Sequence, residues 1–313
     1  MPCPPIIYIF FNRPELMRQS FAAIRAARPA RLYLIADGPR PLNPADAERC
    51  AAARAYIESQ LDWPCEVTRD YSEVNLGCGR RIRSGLTAAF ALLGEAIVIE
   101  DDILPHPDFF PFCAGFLARY RNQPEVHSIC GFNPVGKFFP DERQCIPSRV
   151  NSIWGWASWQ RAWQSYRSDF AGWDDPSTRE ALRAFICNDL HFQNEALGFD
   201  KVFSGQLDTW DYQWTYTLFV DRRVALVSPV NLITNLGFLP DATHTTHDKP
   251  SHLRTLRSYP LPGKIEGPAS LDPDPVYDHV APLIAQTASI PKIAALRTLC
   301  RSYRPLARRL FRK

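Results

Sequence analysis

No stretch of this chain approaches the roughly 18 consecutive apolar residues that a membrane-spanning helix needs, which excludes a helical span. The nine cysteines are scattered, odd in number and without the close paired spacing of zinc sites or thiol redox motifs. Most of them read instead as reduced core residues. No basic leader precedes the first apolar run at Ile6, and with the cysteines this gives an expectation of a reducing, cytoplasmic location. Internal repeats, low-complexity tracts and a flexible linker are all missing, so solenoid and tethered-domain architectures are set aside. Net charge is low, at +3, and 46% of residues are hydrophobic, which excludes a disordered chain.

The excess of positive charge lies at one end. Lys292 to Lys313 holds eight basic residues and no acids, and taking those eight from the total of +3 leaves the rest at −5. Ile293, Leu296, Leu299, Leu306 and Leu310 interleave with the arginines, and Pro305 interrupts them. Residues 291–313 therefore read as a basic amphipathic tail, with a frayed tail as the plainer alternative. The partner expected for it is a membrane surface, giving peripheral attachment at the inner face, and not a nucleic acid.

Residues 1–135 alternate short apolar runs with helical patterns. Pro5–Phe11, Arg31–Asp37, Cys65–Asp70, Ala96–Asp101 and His127–Phe132 read as strands, and the segments after Pro14, from Ala45 to Leu61 and from Arg80 to Leu93, as helices. Asn12, Arg13 and Pro14 supply an N-cap and an early-helix proline. The alternation predicts an α/β fold with a largely parallel sheet flanked by helices. From Asn151 the text turns aromatic: SIWGWASWQRAW reads as a loop entering a helix, DTWDYQW as a second helix start, and Val224–Val230 as a strand. Residues 1–290 are taken as one domain with a binding half (1–135) and an acceptor half (136–290). Asp241 to Asp278, rich in Pro, His and Asp, reads as loop.

Ligands of open parallel sheets bind outside the carboxyl ends of the strands. On that edge the predicted strands bring together Asn12 and Arg13, then Asp37, then Glu100, Asp101 and Asp102. Three adjacent carboxylates repel and are costly to desolvate unless a cation or donors compensate. Strand alternation would put Glu100 and Asp102 on one side and Asp101 on the other. A hard divalent cation, Mn²⁺ or Mg²⁺, held by one or two of these oxygens and otherwise by diphosphate and water, would account for the cluster; a solvated turn is the plainer alternative. NLGCGRRIR, at Asn75 to Arg83, places two glycines before Arg80, Arg81 and Arg83 at a helix N-terminus, a combination suited to phosphate. Asp208 and Asp211 flank Trp210 and are candidate bases or helix caps. The tryptophans are either an acceptor platform or core. His244 and His247, in DATHTTHD, are candidate metal or phosphate ligands or surface loop residues.

These motifs resemble metal-dependent glycosyltransferases of the nucleotide-diphospho-sugar transferase (GT-A) fold, and among them bacterial relatives of N-acetylglucosaminyltransferase I. The resemblance runs from about Ile6 to His244 and is carried by IVIEDDILPHPDFFPF, RRIRSGL, SICGFNP, SIWGWASWQRAW, DTWDYQW and VSPVNLITNLGF. It implies a Rossmann-like sheet and an inverting transfer of sugar from a UDP-sugar, such as UDP-N-acetylglucosamine, to a glycan or lipid-linked acceptor in surface polysaccharide synthesis. It further implies that Asp102 is the direct metal ligand, with His244 a second candidate, and that Glu100 and Asp101 contact ribose or sugar. Arg13 and Asp37 match positions that hold the uridine. The base is Asp208 or Asp211, with Asp208 the slightly better match. A nucleotidyltransferase of related topology ranks lower, since FFNRP stands where its glycine-rich loop would be. A catalytically silent glycan- or nucleotide-binding protein is the alternative from another class.

Overall fold

The computed structural model describes residues 1–138, 143–238 and 251–286. The strands are β1 (Ile6–Phe10), β2 (Arg31–Ala36), β3 (Glu66–Tyr71), β4 (Glu95–Glu100), β5 (Ile103–Pro105), β6 (Val126–Cys130), β7 (Ile146–Ser148), β8 (Trp156–Trp159), β9 (Val224–Val227) and β10 (Ile233–Asn235). The helices are α1 (Pro14–Ala27), α2 (Pro44–Gln60), α3 (Cys78–Leu93), α4 (Phe109–Tyr120), α5 (Gln160–Trp163), α6 (Pro176–Ile186), α7 (Asp189–Phe203), α8 (Asp211–Val220), α9 (Ser251–Arg254) and α10 (Pro275–Gln286).

Eight strands form one sheet in the order β3-β2-β1-β4-β8-β6-β9-β7. β1 pairs in parallel with β2 and β4, β2 with β3, and β6 with β9, while β8 and β7 run antiparallel to their neighbours. The chain thus adopts the expected α/β architecture, a mostly parallel sheet flanked by helices. β5 and β10 make a separate antiparallel pair beyond the end of β4.

IIYIF is apolar throughout because β1 is buried on both faces. Ile6, Tyr8 and Phe10 join the core beneath α1, α2 and α4, and Ile7 and Ile9 join the core beneath α3. Leu32 and Leu34 against Tyr33 and Ile35 divide β2 in the same way. A third cluster gathers α6, α7, α8 and α10 against β7 and β9.

Three sequence expectations change. Asn12 does not cap α1: Arg13 is the cap residue and makes no side-chain cap bond, while the Asn12 amide donates to Asp46 on α2 at 2.7 Å. Trp156–Trp159 is not loop but strand β8, inserted between β4 and β6. Trp156 faces the α3 side and Ala157 and Trp159 the α1 side, a period-two pattern hidden in uniformly aromatic text. Pro105 ends β5, opposite Ile233. The stretch read as loop up to Asp278 instead starts α10 at Pro275.

Helix α10 is tied down by charge. Asp278, 3% exposed, accepts from Ser148 Oγ at 2.5 Å, from the Arg149 N–H at 3.1 Å, and from Arg149 Nη1 at 2.9 Å. Removing one member of a buried pair strands the other without a partner. Asp278→Ala should therefore cost about 3 kcal/mol in urea unfolding, with Asp278→Asn losing less; an unchanged midpoint would rule the tie out.

Candidate active site

The carboxyl ends of β1, β2 and β4 open on a cavity of about 330 Å³, lined among others by Arg13, Asp37, Cys78, Glu100, Asp101 and Asp208. Its floor is formed by Glu100 and Asp101 at the acidic turn after β4, with Asp102 behind them and not among the lining residues. Asp101 and Asp102 do not diverge as strand alternation predicts, because the strand ends at Glu100 and the two aspartates occupy a turn. Both face Arg13, which pairs closely with Asp101 and lies 3.2 Å from Asp102. The turn is fastened on three sides. Phe11 N–H donates to the Asp101 carboxylate at 3.2 Å, Ser20 Oγ to the Asp101 carbonyl at 2.9 Å, and Leu236 N–H to the Asp102 carbonyl at 2.7 Å.

Glu100 is the odd member. Its Oε1 is buried and has no hydrogen-bond partner. Burial, then the neighbouring Asp102 and Asp101 charges, push its carboxyl well above the usual range. Burial raises Asp102 as well, against the pull of Arg13.

The phosphate-loop reading of NLGCGRRIR meets a different arrangement. The carboxylate at the N-terminus of α3 belongs to the chain: Gly79 N–H donates to Asp208 Oδ1 at 3.2 Å. A Cβ on Gly77, whose φ is +80°, would lie 2.6 Å from Asp208 Oδ2, so the glycine admits Asp208. Arg81 is buried, and its guanidinium donates to the carbonyls of Ala36 and Asp70 and pairs with the Asp70 carboxylate at 2.7 Å. Arg80 is exposed and is not among the lining residues. Asp37 accepts from the N–H groups of Leu76 at 2.9 Å and Gly77 at 3.1 Å and from Asn75 Nδ2 at 3.1 Å, which shapes the loop but occupies most of its lone pairs. Asn12, turned toward Asp46, does not line the cavity.

Asp211 lies on another cavity, of about 250 Å³, with Asn151, Trp154, His191, Glu195 and Tyr277 on its wall. It opens α8, and the Thr209 hydroxyl donates to it. Burial raises its carboxyl above the usual range, more than the Thr209 bond lowers it. Trp210 and Trp214, on either side, are core, packed against Trp156 and Trp163. Of the tryptophans weighed as an acceptor platform, Trp154 alone lines this cavity. His244 and His247 lie outside the described residues. Sequence reasoning missed His191, Glu195 and Asn151. The four-residue spacing of the first two on a helix face was the available signal.

Among the described residues, no group of three or more His, Cys, Asp and Glu side chains converges as a metal cage. A hard cation bound mainly by diphosphate and water needs only one or two carboxylates. The unpartnered Glu100 oxygen beside Asp102 fits that requirement.

No protein-family profile matches the chain, and no curated protein sequence matches it. Among solved structures it is similar to residues 1–349 of S. aureus TarS, at 8% identity and TM-score 0.41, over 75% of this chain and 61% of that one, less than two thirds of its length. It is also similar to the inositol-1-phosphate CTP transferase of T. maritima, at 11% identity and TM-score 0.40, over 82% and 95% of the two chains. A third is the glycosyltransferase GlyE of Streptococcus pneumoniae TIGR4, at 9% identity and TM-score 0.31, over 72% and 45%. Likenesses this distant assign neither a family nor an activity.

A carboxyl whose folded pKa lies above its unfolded value destabilises the fold as pH rises from the unfolded value toward the folded one. Stability should therefore fall as pH climbs from the ordinary Glu value of 4.5. Glu100→Gln removes that slope. Its melting temperature should exceed wild type by on the order of 2 °C at mildly alkaline pH and show no gain near the ordinary Glu value; superimposable profiles would disprove the buried-proton account.

Proposed function

We propose that the chain is an inverting, metal-assisted glycosyltransferase that uses a nucleotide-sugar donor. The observation supporting this reading is the pair of cavities divided by residues 208–211: Asp208 lines the one with the acidic turn, and Asp211 the other. The first suits a nucleoside diphosphate, with Arg13 as the cation in place at its floor. Arg81 and Arg40 also line it, but Arg81 is committed to β2 and β3 and Arg40 to Asp46, which leaves Arg13 as the arginine to share the charge of a departing diphosphate. A Mn²⁺ or Mg²⁺ ion on Asp102 and Glu100 would supply further neutralisation of that charge. The loop shaped by Asp37 would take the uridine of a UDP-sugar.

Asp211 is the better base. Asp208 is engaged as the cap of α3, whereas the Asp211 carboxylate is buried with its proton affinity raised, which suits removal of a proton from a hydroxyl near neutral pH. As the acceptor oxygen attacks the anomeric carbon in line, its proton passes to Asp211. The bond from that carbon to the diphosphate oxygen breaks, and its electron pair leaves with the diphosphate. One displacement inverts the anomeric centre. The motif resemblance favours UDP-N-acetylglucosamine as donor and a glycan or lipid-linked saccharide as acceptor, in surface polysaccharide synthesis at the inner face of a membrane.

Release of UDP from a panel of UDP-sugars, with and without EDTA, tests the reading. Asp211→Asn should lower kcat by about 10²- to 10⁴-fold with donor KM nearly unchanged, whereas Asp208→Asn should lose less than about tenfold through a weakened cap. A larger loss in Asp208→Asn returns the base role to that residue. Full, EDTA-resistant activity in Asp102→Asn would sink the metal assignment, and UDP binding without turnover would favour a silent binding protein.

A further inference from the structure

The cavity beside Asp211 is built as a ligand site. Asn151 and Trp154 come from the segment before β8, His191 and Glu195 from α7, Asp211 from α8, and Tyr277 from α10. Two of these side chains, Asn151 and His191, keep a buried nitrogen without a hydrogen-bond partner. Asn151 Oδ1 accepts from Ser128 Oγ at 2.8 Å, which turns the amide so that its buried Nδ2 has no partner. His191 is 4% exposed; its Nδ1 has no partner, and its Nε2 lies 3.7 Å from Glu195. Buried polar groups without partners are costly, so donors and acceptors gathered around a cavity mark a place where a ligand supplies the missing bonds. Trp154, half-buried and set edge-on to Phe132 at 4.6 Å and to Phe238 at 5.7 Å, adds an aromatic wall. Amide, imidazole, carboxylate and indole together suit a polyhydroxylated ring.

The charge on the wall narrows the ligand further. Glu195 and Asp211 are both carboxylates, and no lysine or arginine stands among the described lining residues. The two are brought together by the close approach of α7 to α8 at Gly198, where a Cβ would collide with the Tyr212 ring. A phosphate or carboxylate on the incoming molecule would face both, and the one counter-group on the described wall is His191, already 3.7 Å from Glu195 and a cation only when protonated. We infer that this cavity receives a saccharide face bearing no anionic group, neutral or amine-substituted, and that Glu195 is the residue that enforces the selection. The inference rests on the reading of this cavity as the acceptor site, and it excludes a phosphorylated or uronic sugar as the residue that receives the transferred group.

The test compares methyl glucoside, methyl glucosaminide, methyl glucuronide and a glucose phosphate on the full chain, by saturation-transfer NMR for binding and by UDP release for turnover. The neutral and amino sugars should bind better than the anionic pair by on the order of tenfold, as like-charge exclusion predicts, with the same order in kcat/KM. Glu195→Gln should narrow the ratio to a few-fold while UDP binding, in the other cavity, stays as in wild type. An anionic sugar bound as well as its neutral counterpart, a ratio that Glu195→Gln leaves unmoved, or no binding of any saccharide at millimolar concentration each overturns the inference. Should no UDP-sugar turn over while the binding order holds, the transferase reading fails and the saccharide selection stands.

Discussion

The site depends on the cost of ending a central strand in three carboxylates. Glu100, Asp101 and Asp102 follow a run buried on both faces, so the chain cannot spread their charge into solvent. It answers with Arg13, at the end of the neighbouring strand, whose guanidinium meets both aspartates, and with backbone and hydroxyl donors that fasten the turn. Glu100 is left with an unpartnered oxygen, and burial favours its neutral form. The cavity floor is therefore pre-charged and incompletely compensated, a state in which a cation or a donor-rich ligand gains the most.

The same economy governs the facing wall. A helix N-terminus with glycines attracts an anion, and here the anion is Asp208, carried in from a segment 129 residues away. That contact seats the turn before α8, and the buried tryptophans at 210 and 214 fix where the helix begins. Asp211 is thereby held facing the space between α7, α8 and α10. Three residues of separation become two sides of a partition.

Much of this was legible in the residues. IIYIF, RLYLIA and AIVIE read as strands because a central parallel strand is apolar on both faces, and the polar residues after them marked the edge on which the first cavity opens. Strand β8 was not legible, because WASW sits in uniformly aromatic text and its extended form is set by the slot between β4 and β6. Asn12 was read as a cap from its type and place, but a partner on α2 outcompetes the helix for its side chain. The arginines after NLGCG looked alike in sequence; α3 turns Arg81 onto β2 and β3 and leaves Arg80 exposed.

The sequence alone determined the α/β class, the parallel edge on which the polar residues gather, and the acidic turn with its need for compensation, since each follows from local pattern and from charge adjacent along the chain. Tertiary structure alone decided which cation meets that turn, which carboxylate caps α3, which faces the second cavity, and that His191, Glu195 and Asn151 share its wall. Those choices join residues from 88 to 129 positions apart in the contacts of Arg13 and Asp208. Their physical basis is competition among many polar groups for a few buried partners, and it is settled only when the whole chain has packed.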